Sequence, residues 1–141
     1  MVSVIIPVHN DEALLVEVIN NLLSTAHTNK FQIVVVNDGS VNNVGRFVPF
    51  NLDIPFCHIK TVDIPRQKGV GYAFDRGVEA ADGDIIVLMG ADVFTDDNWL
   101  NNVIDAVATF PNDIGCSACV GLSPEIRDMK RPERRVRYGA D

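Results

Sequence analysis

Three segments of the chain are short, apolar and rich in β-branched residues: Val2 to Val8 (VSVIIPV), Phe31 to Asn37 (FQIVVVN) and Asp84 to Met89 (DIIVLM). Runs with no polar face suit strands buried on both sides, as in a parallel sheet. Between the first two, Leu14, Leu15, Val18, Ile19, Leu22 and Leu23 recur at helical spacing, with acids in the first turn and Asn10 placed as N-cap. The first two strands and the helix between them predict a βαβ unit. Downstream, Asp38-Gly39-Ser40 predicts a turn, residues 41–50 a short helix or loop, and Pro55 to Val62 a third strand. Over residues 68–81, Val70, Ala73, Phe74, Val78 and Ala81 share one helical face, and Asp82-Gly83 ends the helix. Trp99, Leu100, Val103, Ile104 and Val107 predict another helix over 96–110, and residues 113–122 a last strand. Strands alternating with helices in this way predict an open, doubly wound α/β sheet.

Composition narrows the picture. A chain of 141 residues, 47% of them hydrophobic, suits one domain with a real core, read here as residues 1–124. No apolar run approaches the roughly 18 residues of a membrane helix. The N-terminal segment has no basic region ahead of an apolar one, so the expectation is a cytoplasmic protein, at most peripheral to a membrane. The odd number of cysteines, Cys57, Cys116 and Cys119, points away from a disulfide framework. Cys116 and Cys119 form a C-x-x-C, but with no second ligand pair in a strand-like, apolar stretch they read as small core residues.

The net charge is -7, and six of the twelve Lys and Arg fall in residues 127–141. Residues 125–141 therefore form a basic tail, read as a mobile end or the start of a further segment. Such an acidic body excludes a nucleic-acid backbone as its main partner. If it binds a smaller anion, it needs backbone amides or a metal to do so.

In open α/β sheets, ligands bind beyond the C-terminal strand ends, where strand order reverses. Three such ends carry unusual polar residues: PVHND (residues 7–11), NDGS (37–40) and GAD (90–92). A parallel sheet opens all three at one edge. The first βα turn has no G-x-G-x-x-G and the chain has no G-x-x-x-x-G-K-[ST] loop. The Gly69-x-Gly71 pair alone is a weak signal.

The stretches VSVIIPVHNDEALLVEVINNLL, IVVVNDGS and KGVGYAFDRGVEAADGDIIVLMGADV, in this order, resemble the nucleotide-binding half of family 2 glycosyltransferases over about Val2 to Leu122. The resemblance implies a GT-A fold, a Rossmann-like, mostly parallel sheet with helices on both faces. It implies transfer of a sugar, with inversion, from a nucleotide-diphosphate donor, UDP-linked by expectation, to a glycan, lipid or protein acceptor. Pro7, Val8 and Asn10 would then hold the base, and Asp38 would accept its imide N–H, which suits a carboxylate. Lys68 and Gly69 would lie near the diphosphate. Gly90-Ala91-Asp92 stands at the D-x-D motif, so Asp92 would carry Mg²⁺ or Mn²⁺ bridging the phosphates. His9 stands where the family often has an aromatic residue, so it reads as a base-stacking position or a plain loop residue.

The departures point to a second reading. Gly90 replaces the first acid of D-x-D, Asn37 the first acid of the usual D-D-G-S, and Ala73-Phe74-Asp75 an A-R-N step that would bring a cation to the diphosphate. Inversion needs a carboxylate to deprotonate the acceptor hydroxyl, and none of the 49 residues after Asp92 matches the family's motif for it. The catalytic residue is thus unassigned. The alternative is a non-catalytic or incomplete nucleotide-sugar-binding module, either a truncated fragment or a subunit that needs another chain or segment for activity, with a homo-oligomer or a partner chain as the expected assembly. Taken alone, Asp38 reads first as turn chemistry and Asp92 as readily as a cap for the following helix.

Overall fold

The computed structural model describes residues 1–26, 29–48 and 54–109. In chain order the elements are β1 (Val2–Val8), α1 (Glu12–Thr25), β2 (Phe31–Asp38), a 3₁₀ turn (Val44–Arg46), β3 (Cys57–Ile64), α2 (Val70–Ala80), β4 (Ile85–Leu88) and α3 (Trp99–Thr109). The strands form one sheet in the order β3-β2-β1-β4, and every pairing is parallel. The expected strand over 113–122, the Cys116/Cys119 pair and the basic tail lie outside the described residues.

Burial on both faces explains the continuous apolar runs of β1 and β2. On one face Val2, Val4, Ile6 and Val8 join Phe31, Ile33 and Val35 beneath Leu15, Val18, Ile19 and Leu22 of α1 and Trp99 and Leu100 of α3. Phe31 and Trp99 meet edge to face at 5.7 Å, a favoured aromatic geometry. On the other face Ile5, Val34, Val36 and Ile64 meet Ala73 of α2. The α/β sheet with helices on both faces is as expected, and among the described residues no helix is long and apolar enough to cross a membrane.

Four local expectations are corrected. The buried face of α2 is Ala73 and Gly77, whereas Val70 and Val78 are exposed. A Cβ at Gly77 would lie 2.9 Å from Val36 Cγ2 and closer still to Ile5, so the helix lies too near the sheet for a larger residue. The third strand starts at Cys57 rather than Pro55, because residues 55 and 56 form a turn, and it runs on to Ile64. The residue capping α1 is Asp11, with no side-chain cap bond, because Asn10 adopts φ +55 and spends its side chain on the neighbouring turn. Finally, among the described residues β4 is covered on one face only, with Ile86 and Leu88 exposed on the other, since α2 packs over β1, β2 and β3.

Candidate functional site

Strand order reverses between β1 and β4, so the loops leaving these two strands are neighbours at the C-terminal edge, the place where ligands bind in open α/β sheets. One side carries His9 and Asn10, the other Gly90, Ala91 and Asp92. The turn Asp38-Gly39-Ser40 leaves β2 next to the first of them.

Asp38 is buried at 4% exposure, and both of its carboxylate oxygens are engaged. Oδ1 accepts the backbone N–H of Lys68 at 2.7 Å, and Oδ2 that of Gly69 at 2.8 Å. Gly69 is the N-cap of α2, so the negative charge also faces the favourable end of the helix dipole. Gly39 makes this approach possible. It sits at φ +68, and a Cβ there would lie 2.7 Å from the Arg66 carbonyl carbon and closer to the Gln67 nitrogen, an overlap with backbone that cannot rotate away. The D-G-S turn therefore clamps the Lys68-Gly69 loop, which is more than local turn chemistry. Each carboxylate oxygen keeps a lone pair for a further donor.

The segment after β1 is fastened to the same turn. Asn10 donates its backbone N–H to Ser40 Oγ at 3.0 Å and accepts the Val41 N–H on Oδ1 at 2.8 Å. His9 Nδ1 lies 2.7 Å from the Asp38 carbonyl oxygen. Pro7 is half-buried, and Val8 points into the core beneath α1. Asn37 accepts the Ser40 N–H at 2.9 Å and donates to Asp63 Oδ1 at 2.8 Å. That explains an amide where an acid is usual: a carboxylate at 37 would face the carboxylate of Asp63.

On the β4 side, Asp92 is exposed in a turn closed by the Val93 N–H on the Gly90 carbonyl at 3.3 Å. A Cβ on Gly90 would come within 2.6 Å of Asp92 Oδ1. The carboxylate thus lies over the bare glycine, in space that a first acid would take. Ala91 is half-buried against the core. The loop is tied down at Thr95, where Asn21 of α1 donates Nδ2–H to the carbonyl at 3.1 Å and accepts the N–H on Oδ1 at 2.6 Å. Thr25 adds a hydroxyl contact to Thr95 at 2.8 Å. Sequence reading misses this anchor. Its signal is an asparagine in a helix interior, where that residue is otherwise unfavourable.

Among the described residues no three His, Cys, Asp or Glu side chains converge as a metal cage. Asp92 alone still fits a hard divalent ion, since Mg²⁺ is commonly held by one or two carboxylates plus waters and substrate phosphates. The marked proton-affinity shifts lie at the far end of the sheet. Burial pushes the Cys57 thiol up to about 12, and the N-terminal ammonium, bonded to Asp84 at 2.9 Å, lowers that carboxyl.

A family model described as glycosyl transferase family 2 matches residues 3–140. The undecaprenyl-phosphate 4-deoxy-4-formamido-L-arabinose transferase of Shewanella sediminis is 29% identical over 105 residues, 73% of this chain and 32% of the relative. That of Pseudomonas paraeruginosa is 27% identical over 133 residues, 93% of this chain and 37% of the relative. TarS 1–349 of S. aureus, in complex with UDP-GlcNAc, superposes with a TM-score of 0.68 at 19% identity, over 83% of this chain and 37% of that one. The mannosyltransferase PcManGT of Pyrobaculum calidifontis, in complex with GDP-Man and Mn²⁺, gives a TM-score of 0.68 at 24% identity, over 76% of this chain and 32% of that one. The chain spans about a third of the length of these curated relatives. With a GT-A sheet and three motif loops at one edge of it, the chain belongs to glycosyl transferase family 2.

Proposed function

We propose that the C-terminal edge binds a UDP-linked sugar and forms the donor half of an inverting, metal-assisted glycosyl transfer. The observation that carries this reading is the convergence of the β1, β2 and β4 loops at the switch point, with Asp38 clamping the Lys68-Gly69 loop to them. Pro7, Val8 and Asn10 hold the base, and Asp38 accepts its imide N–H on a remaining lone pair. The diphosphate lies towards Lys68 and the first-turn amides of α2, which have no partner within the helix. Asp92 would hold Mg²⁺ or Mn²⁺, which supplies neutralisation of the departing diphosphate. The nucleotide sugars bound by TarS and PcManGT support a donor of this class.

The lone Asp92, with Gly90 in the other acid's place, favours a second reading: a binding module that turns over only with further chain. Calorimetric titration of UDP and GDP, with and without Mn²⁺, separates the possibilities. Metal-dependent UDP binding that disappears in Asp92→Ala supports the donor site, and no nucleotide binding at all defeats both readings. Transfer to undecaprenyl phosphate, the acceptor named for the relatives, is the first turnover assay to run. Binding without turnover favours the module.

A further inference from the structure

Residues 89–98 join β4 to α3 without regular structure, and Asp92 lies among them. Such a stretch keeps one shape only where contacts offset the entropy of ordering it. Upstream of Asp92, the Met89 N–H donates to the Ile5 carbonyl of β1 at 3.0 Å. Downstream, Asn21 of α1 pairs with both backbone groups of Thr95: Oδ1 accepts the N–H at 2.6 Å and Nδ2 donates to the carbonyl at 3.1 Å. The Thr95 hydroxyl lies 2.9 Å from Asn21 Oδ1 and 2.8 Å from Thr25 Oγ1. The two-way pairing leaves the amide one orientation, since a turned amide would set oxygen against oxygen and donor against donor. Asp92 thus stands three residues from a fastened point on either side, and three residues span at most about 10 Å.

Both fastened points bond to the β1–α1 unit. Leu15, Val18, Ile19 and Leu22 of α1 are fully buried, which seats the helix on the sheet at the packing density of a protein interior. Pro7 and Asn10 lie where β1 passes into α1, so one packed unit carries the base-binding segment and fastens the loop of Asp92. Ala91, Val93 and Phe94 also pack against the core. Apolar contact is non-directional, whereas hydrogen bonds have direction, and the single side chain of Asn21 supplies three of them to Thr95.

We propose that Asn21 is a positioning residue for the metal ligand: through Thr95 it holds Asp92 at a set reach from Pro7 to Asn10, so that a nucleoside diphosphate engages the base segment and the metal at once. The inference rests on the donor-site reading above. Titration of UDP with and without Mn²⁺ tests it. In Asn21→Leu the affinity gained from Mn²⁺ falls about three- to tenfold, the scale of one hydrogen bond, while the metal-free affinity stays at the wild-type value. Asn21→Asp keeps an acceptor for the Thr95 N–H but sets a second oxygen against the Thr95 carbonyl, so it loses a smaller part of the gain. Thr95→Ala retains the gain, because the pairing with the backbone survives. An undiminished gain in Asn21→Leu, or an equal loss with and without metal, overturns the proposal. Amide NMR of the ligand-free protein tests the positioning without any nucleotide: the Gly90 to Val93 signals shift in Asn21→Leu while Gly39 keeps its place. UDP binding by the wild type together with unmoved Gly90 to Val93 signals in Asn21→Leu defeats the Asn21 proposal alone. Shifted signals in a protein whose wild type binds no UDP, or binds it no more tightly with Mn²⁺, defeat the donor reading and the role of Asn21 within it.

Discussion

The two ends of the sheet use polar side chains in opposite ways. At the N-terminal end Gln32 is fully buried and turned entirely inward. Its Oε1 accepts the Ser3 hydroxyl at 2.7 Å and the Asp82 N–H at 2.9 Å, while Nε2 donates to the Asp82 carboxylate at 2.5 Å. Ser3 Oγ accepts the Gly83 N–H at 2.9 Å, which ties the α2–β4 connection to β1 and β2. At the C-terminal end the bonds run from loop to loop, and Asn10, Lys68 and Asp92 stay exposed. A satisfied buried network specifies structure. Loops held in shape with free polar groups lower the cost of binding a ligand. The difference assigns stability to one end and suits the other to the recognition proposed for it.

The largest effect is expected where that division is starkest. Gln32→Leu leaves the Ser3 hydroxyl and the Asp82 amide without their partner, and denaturant unfolding should show a loss of about 3 kcal/mol. UDP affinity of the folded variant stays unchanged. Gly39→Ala, at the other end, combines a left-handed φ with backbone overlap. It costs about 2 kcal/mol, and here UDP binding weakens as well, about tenfold or more, because the Lys68-Gly69 loop is displaced.

A smaller effect tests the Asn37 amide. Asn37→Asp sets two carboxylates together at the Asp63 contact and lowers stability by about 1 kcal/mol at neutral pH. The mutual repulsion raises the pair's proton affinity, so the loss shrinks as pH falls, and adding Asp63→Asn restores stability. A double-mutant cycle measures that coupling. The smallest change in stability belongs to Asp92→Ala, within about 0.5 kcal/mol for an exposed residue, although it removes the effect of Mn²⁺ on nucleotide binding.

Hydrophobic pattern makes β1 and β2 legible almost to the residue, because strands covered on both faces carry long apolar runs, and β4 shows the same kind of run although Ile86 and Leu88 are exposed. The same logic misplaces the face of α2. Apolar size marks Val70 and Val78, but close packing on Ile5 and Val36 selects the smallest residues, Ala73 and Gly77. The ordered motifs disclose which loops gather at the C-terminal edge. They do not disclose how the loops are held, since Asp38 meets Gly69 across 31 residues and Asn21 meets Thr95 across 74. The glycine of G-A-D has a local meaning in the folded chain: the Asp92 carboxylate lies over it.

The most direct test of the account is a backbone amide NMR titration with UDP, using Mg²⁺ for shift changes and Mn²⁺ for paramagnetic broadening. The account predicts shift changes at Asn10, Gly39, Lys68 and Gly69, and broadening centred on Gly90 to Val93, with Gln32 and Asp82 silent. Perturbations centred on the Gln32 end of the sheet, or broadening that leaves Gly90 to Val93 untouched, would contradict it.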